Sequence, residues 1–327
     1  DCFVCDSMII DFDTVPAVCE NCDGKLFITG ITGGTPPYTI NWSSGAAGDS
    51  AVNLCFGLHT VTITDSPGCA DTAAVNVPKT VPGDVVFPAN TTAKAVVNYF
   101  NGSTIWGQEI GFEGNFIIDT TIIFFSSTLY MDTMAEVTVI PGYDFYLILS
   151  EIRRGCDYMW KMIFADSSIS TVWITFSTVR DAQKGVILTN GTPFVIGFNK
   201  FTNNRRNLTI RKYTNMSSIL INNTFQNQGL THPHAGRKSF EGIRLQRVDQ
   251  ADIRNNTYRD NMRNGIWVVN CGNINIFGGT YRNLNTGINI HNTDNVNIYN
   301  GNFDNINRGI MARNTGSLNV NRGTYTN

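Results

Sequence analysis

Two histidines one residue apart, His232 and His234, share a loop with Arg237 and Lys238. A His-x-His pair on a strand face can hold a transition metal, because both imidazoles then point to one side. The plainer expectation is an exposed insertion that decorates a repeat, since loops vary freely. No cofactor or metal is expected. Upstream, Arg205, Arg206, Arg211 and Lys212 form a basic stretch, followed by Arg244, Arg247, Arg254, Arg259 and Arg263. An acidic glycan, DNA or the acidic part of a neighbouring subunit could bind such a surface. No nucleic-acid-binding motif accompanies the charge, so sequence-specific nucleic-acid recognition is not expected.

Glycoside hydrolysis needs two carboxylates about 5–9.5 Å apart across a groove. Asp249 and Asp294 occupy equivalent positions of a repeat, with Gly272 between them. Two strand spacings of about 4.8 Å separate them by roughly 9.6 Å, at the edge of that range. A lyase would ask for an acid cluster able to hold calcium beside a basic residue. Only 6 Asp+Glu follow residue 200. Solvated rim acids are the expected reading of this pair, and no catalytic residue is assigned. A secreted polysaccharide lyase or glycoside hydrolase is the alternative function. No phosphate loop, His-Glu-x-x-His or nucleophile elbow occurs.

Six of the eight cysteines, Cys2, Cys5, Cys19, Cys22, Cys55 and Cys69, cluster near the start of the chain. Clustering in a small β-rich segment implies disulfide bracing in an oxidising compartment. The rival is zinc: Cys2-x2-Cys5 followed by Cys19-x2-Cys22 has the outline of a four-thiolate ribbon, with a slightly short gap. Cys156 and Cys271 lie in apolar contexts and read as buried free thiols.

These residues need a scaffold, and composition narrows it. Hydrophobic residues make up 42% of the 327 and charged residues 15%. A sizeable core is available, and Gly, Ser, Thr and Asn carry the solubility, which favours strands and turns. No apolar run reaches the ~18–20 residues of a transmembrane helix. The chain opens on Asp1 with no signal peptide, so it reads as a processed or excised piece. Residues 1–199 carry 8 Lys+Arg against 20 Asp+Glu, a balance of −12; residues 200–327 carry 16 against 6, a balance of +10. Opposite halves of this kind favour head-to-tail contacts between copies, so homo-oligomers or fibres are expected.

Between residues 17 and 80, short alternating segments at 25–29, 38–42, 51–54, 59–64 and 73–77 are separated by turn signals, with Trp42 as a core anchor. This spacing predicts a small β-sandwich. Residues 1–16 read as a cysteine-containing linker, and 77–83 as a stiff connector. Beyond 240 the chain repeats. Gly242, Gly265, Gly287 and Gly309 are each followed by Ile. Alternating pairs Ala251/Ile253, Ile274/Ile276, Val296/Ile298 and Leu318/Val320 keep step with them, and Tyr258, Tyr281, Phe303 and Tyr325 close each unit. A period of 22–24 built of period-2 strands means a solenoid, each unit one turn. Asn270, Asn292 and Asn314 fall in register and should stack as an amide ladder. Residues 185–327 form the regular turns, with 229–239 as an inserted loop. Residues 81–184 supply the first, larger turns. The last turn stops at an open sheet edge, so the native polypeptide is expected to continue past 327.

The motifs Cys19-x2-Cys22-Asp23-Gly24, Gly33-Gly34-Thr35-Pro36-Pro37-Tyr38, Leu54-Cys55-x-Gly57 and Thr62-x-Thr64-Asp65-x-x-Gly68-Cys69 resemble the SprB-type repeat. That Ig/PKD-like module recurs in surface adhesins of gliding Bacteroidota, where it is a spacer without catalytic residues. In such a sandwich Cys55 and Cys69 sit at opposite ends of one strand, too far apart to join. The expected pairs are Cys19–Cys69 and Cys22–Cys55, with Cys2–Cys5 a third. Further on, Gly155-Cys156-Asp157-x-Met159-Trp160-Lys161 and Asp181-Ala182-x-x-Gly185 resemble turns of Bacteroidota surface β-helix proteins exported by the type 9 secretion system. The resemblance implies an all-β chain: an Ig/PKD-like β-sandwich followed by a right-handed parallel β-helix. The implied role is a structural or adhesive segment of an extracellular cell-surface fibre, with fibre neighbours, an acidic glycan or a target cell surface as partners.

Overall fold

The computed structural model describes residues 7–214 and 218–326. Cys2 and Cys5, with their expected pairing, lie outside them. The chain divides into two units between Pro82 and Gly83.

Among its described residues the first unit holds eight strands: β1 (Ile9–Val15), β2 (Ala17–Val18), β3 (Gly24–Thr32), β4 (Thr39–Trp42), β5 (Ser50–Leu54), β6 (Gly57–Thr64), β7 (Ala70–Val77) and β8 (Lys79–Thr80). They form two antiparallel sheets, ordered β1-β3-β5 and β4-β6-β7, and the short pair β2-β8. Leu26, Ala51 and Leu54 from one sheet share a core with Trp42, Val61, Ile63 and Val77 from the other. The linker expected over 1–16 is corrected by β1, which pairs with β3 from Ile9↔Thr32 to Val15↔Lys25. Its alternation explains this, because Ile10 and Phe12 pack on the core while Asp11 and Asp13 face out. The Phe12 and Trp42 rings meet edge to face at 6.1 Å.

Cys22 and Cys55 form a disulfide. Cys19, Cys69 and Cys156 each carry a disulfide bond as well. Because Cys22 is spent on Cys55, it has no thiolate for a four-cysteine zinc site.

The second unit is a parallel β-solenoid of about ten turns. Each turn contributes one strand to each of three faces. Inward columns run up the faces in unbroken register. On the first, Ile110, Leu129, Ile152, Val179, Phe201, Phe225 and Tyr258 each pair with the next. On the second, Val186, Leu208, Ile243, Ile266, Ile288 and Ile310 do the same. On the third, Ile253, Ile276, Ile298 and Val320 follow. The aromatic closures stack: Phe201, Phe225, Tyr258, Tyr281, Phe303 and Tyr325 lie 4.9, 5.2, 4.9, 4.7 and 4.9 Å apart in sequence order.

The early turns are not consistently larger. Val85 pairs with Ile110, Ile110 with Leu129, Leu129 with Ile152 and Ile152 with Val179, so some steps are longer than the later period and one is shorter. Their strands stay short and only the corners vary, which blurs the period in sequence. One helix occurs among the described residues, α1 (Ala93–Phe100), capped by the Thr92 hydroxyl accepting from Ala95 N–H. It buries Ala93 and Val96 in the first turns of the solenoid core. The step from Phe225 to its partner Tyr258 is longer than its neighbours, as the inserted loop requires. Cys271 is a buried free thiol, and burial raises its pKa. Cys156 is a correction: it is disulfide-bonded, in the bend that follows the strand Glu151–Arg154.

Corners are turned by left-handed residues. Asn270, Asn292 and Asn314 have φ of 52°, 46° and 51°. Asn tolerates this region better than other residues with a Cβ. The three side chains also hydrogen-bond along the axis, Asn292 to Asn270 at 3.2 Å and Asn314 to Asn292 at 3.0 Å. A second, interior column was not expected. Ser127, Ser150, Ser177, Asn199, Asn223 and Asn256 are all buried at one corner. Each side-chain oxygen from Ser150 onward accepts the backbone N–H of the preceding member, at 2.8–3.1 Å.

Candidate functional site

The second face begins at a corner where several basic residues converge. Gln183, Lys184, Arg205, Arg206, His234 and Phe240 line a cleft of about 240 Å³. A second cleft of about 350 Å³ is lined by Arg263, Asn264, Asn285, Thr286, Asn307 and Arg308. Register joins the two. Lys184 pairs with Arg206, Glu241 with Asn264, Asn264 with Thr286 and Thr286 with Arg308. Arg206 comes within 3.4 Å of Glu241, bridging the column.

Phe240 organises the middle. The guanidinium carbons of Arg205, Arg206 and Arg263 lie 3.9, 4.9 and 4.9 Å from its ring centre. A ring quadrupole attracts cations placed this way, so one phenyl gathers three charges that would otherwise repel. The loop is tied down locally: Arg205 donates to the Lys238 carbonyl at 2.9 Å, and Phe240 N–H donates to the Arg205 carbonyl at 2.8 Å. Lys238 Nζ donates to Asn285 at 3.1 Å.

Glu241 is fully buried beneath this group, and neither carboxylate oxygen has a hydrogen-bond partner among the described residues. Burial pushes its pKa up. Arg206, Arg244, Arg205 and Arg263 pull it back only in part. His234 is shifted down by burial and then by the Arg205 and Arg237 cations. Arg205 is lowered by burial and by its cationic neighbours, Arg263 first.

The expected binding residues therefore separate. Arg205, Arg206 and His234 line the first cleft, the Arg237 cation acts on Arg205 and His234, and Lys238 reaches Asn285 at the second cleft. Arg211 lies farther along the face, in register with Gln246, and Lys212 turns the next corner with φ of 61°. His232 goes elsewhere: its ring packs 5.6 Å from Tyr158 and its carbonyl accepts from Met159 N–H. No group of three metal-ligating side chains among the described residues includes His232 or His234. His234 also faces two arginines, which oppose a bound cation.

Asp249 and Asp294 do fall in one column with Gly272 between them, since a Cβ on Gly272 would meet the Asp249 carbonyl. Both are exposed. Neither side chain makes a hydrogen bond or ion pair among the described residues, and neither lines the two clefts. Asp252 instead accepts from Asn275 at 3.0 Å, as the base of an exposed amide ladder.

One surface escaped the sequence reading. On the third face Trp106 pairs with Phe125, and Tyr146 with Trp173, all pointing outward. At the corner beside them, Phe176 and Phe198 are 58% and 51% exposed, with rings stacked at 5.0 Å. Both have left-handed φ, 53° and 60°, where later turns place Asn222, Asn255 and Asn300. A bulky residue at such a position is an outlier that structure alone does not favour. Phe in the slots that later turns give to Asn was the available signal.

Compared with known proteins, the chain matches no family model, no curated protein and no solved structure.

Proposed function

We propose that the chain is a structural and adhesive segment of a large extracellular cell-surface fibre or adhesin, of the kind its SprB-like and type 9 cargo-like motifs suggest. On this reading the first unit is an Ig/PKD-like spacer and the second a right-handed β-helix that presents attachment surfaces. The observation that carries it is the register that the solenoid's inward columns keep from turn to turn. Three faces of parallel strands run through about ten turns, and outward ladders of amides and aromatic rings run along them. Backbone and side-chain hydrogen bonds in one direction make a stiff element, as in other parallel in-register sheets. Disulfides support an oxidising compartment, and no helix among the described residues is long and apolar enough to cross a membrane. The exposed Trp106, Trp173, Phe176 and Phe198 add apolar surface of a kind used for contact.

The alternative, a secreted polysaccharide lyase or hydrolase, would rest on Asp249 and Asp294, which stand exposed and apart from both clefts. Two measurements test the choice. The purified chain should adhere to cells or immobilised glycans and release no reducing ends or unsaturated sugars from a glycan panel. Turnover that disappears in Asp249→Asn would overturn the reading. In native material, assembly into oligomers or fibres should weaken as salt rises, given the −12 and +10 balances of the two parts.

A further inference from the structure

The two clefts, their cations and their amides point to a ligand class that the adhesive reading leaves open, and the inference rests on that reading. We infer that the corner from Lys184 to Arg308 is a binding furrow for a linear acidic glycan, one carrying carboxylate or sulfate groups on a hydroxyl-rich chain.

The column spans five turn spacings, roughly 24 Å at ~4.8 Å per turn. That length takes a short oligosaccharide rather than a single sugar. Cations recur along it: Lys184, Arg205 and Arg206 at the first cleft, Arg263 and Arg308 at the second. The acid among them, Glu241, is fully buried, and its raised pKa opposes its ionisation. The accessible charge of the furrow is therefore positive throughout, and an anionic chain would complement it. Between the cations stand Asn264, Asn285, Thr286 and Asn307, neutral groups that both donate and accept. Alternating cations and amides fit alternating anionic groups and hydroxyls.

A single-stranded nucleic acid is the other polyanion of suitable width. Its sequence-tolerant recognition relies on aromatic rings that stack on bases. The aromatic ring that lines the furrow, Phe240, is already engaged by three guanidinium groups. The outward rings of Trp106, Phe125, Tyr146 and Trp173 are on a different face. A glycan is the occupant the furrow favours.

The full 327-residue chain should be titrated by calorimetry with polygalacturonate, heparin, neutral dextran and oligo-dT over a series of salt concentrations. The two acidic glycans should bind, dextran should not, and affinity should fall steadily with salt. Lys184→Glu/Arg308→Glu should weaken acidic-glycan binding at least tenfold with an unchanged circular dichroism spectrum and melting temperature. Lys94→Glu/Lys200→Glu, an equal charge change at exposed residues that line neither cleft, should leave it within twofold. Because Lys184 and Arg308 sit at the ends of the column, the double variant spares the Phe240–Glu241 centre. Oligo-dT binding as tight as the glycans, and lost in the same variant, would overturn the glycan assignment. Glycan binding that survives the furrow variant would overturn the site while leaving the adhesive reading standing. Absence of binding to either acidic glycan would sink the furrow; cell adhesion measured separately then decides the adhesive reading by itself.

Discussion

The backbone N–H of Ser177 donates to the side-chain oxygen of Asn199 on the next turn at 2.9 Å, and here a buried ladder of hydroxyls becomes a ladder of amides. The two side chains do the same work. Ser177 Oγ accepts from Ser150 N–H and donates to the Leu147 carbonyl. Asn199 Oδ1 accepts from Ser177, while its Nδ2 donates to the Ile174 carbonyl. Each member thus satisfies one N–H and one C=O that the corner has left without a sheet partner. An unmade bond there would cost the full desolvation of the group.

This makes the ladder testable at its middle. Asn223 accepts from Asn199 N–H at 3.1 Å and donates to the Ile196 carbonyl at 3.0 Å. Asn223→Leu fills the space but orphans both groups, and should cost about 3 kcal/mol in chemical denaturation. Asn223→Ser restores the pattern of the earlier turns and should cost about 1 kcal/mol. Equal losses would mean that volume, not hydrogen bonding, sets the requirement.

The same turns show what sequence could and could not reveal. Asn270, Asn292 and Asn314 repeat at one constant spacing because the last turns have equal corners, so their ladder was legible. The interior column runs from Ser127 to Asn256 with sequence separations of 23, 27, 22, 24 and 33, and it changes residue type midway. Neither period nor composition marks it. Likewise Glu241 meets Arg206 by register across the inserted loop, where Phe240 closes over Arg205, Arg206 and Arg263. That closure depends on a ring finding three cations, which no spacing rule encodes. Strand β1 is legible in principle, since Ile10 and Phe12 alternate with Asp11 and Asp13.

Inward register gives a second test. Ile298 is buried between Ile276 and Val320. Ile298→Asp places an unpaired charge in an apolar column and should cost about 3 kcal/mol or more. Asn297, its neighbour, faces out but belongs to a ladder, donating to Asn275 and accepting from Asn319, both at 2.9 Å. Asn297→Asp removes the donor and sets a carboxylate against the Asn275 oxygen, for about 1 kcal/mol. Equal shifts in melting temperature would contradict the assigned register.

Glu241 predicts a pH dependence with a definite sign. Its folded pKa lies above the ordinary value of 4.5 because burial outweighs the surrounding arginines. Between the two pKa values the folded state holds more protons than the unfolded chain. The group's contribution is therefore fully present below the unfolded pKa and declines as pH rises through the folded one. Glu241→Gln cannot ionise, so its stability relative to wild type should rise with pH from about 4.5 upward and level off once the native carboxyl is ionised. Urea denaturation from mildly acidic to mildly alkaline pH would check it. A difference that narrows with rising pH would show that Arg206 and its neighbours outweigh burial.

The Cys22–Cys55 disulfide closes a sequence separation of 33 in the first unit. Chain-entropy reasoning assigns such a loop about 3–4 kcal/mol, held mainly by restricting the unfolded state. In Cys22→Ala/Cys55→Ala the first unit should lose roughly that much, and its melting should move to lower temperature. The solenoid has its own core and no share in this bond, so its transition should stay in place. Differential scanning calorimetry resolves the two if they unfold separately, and the intrinsic fluorescence of Trp42, isolated by replacing the solenoid tryptophans, reports the first unit alone. A Trp42 transition unmoved by the double substitution would mean that the packing of Leu26, Trp42 and Val61 carries this unit without the cross-link.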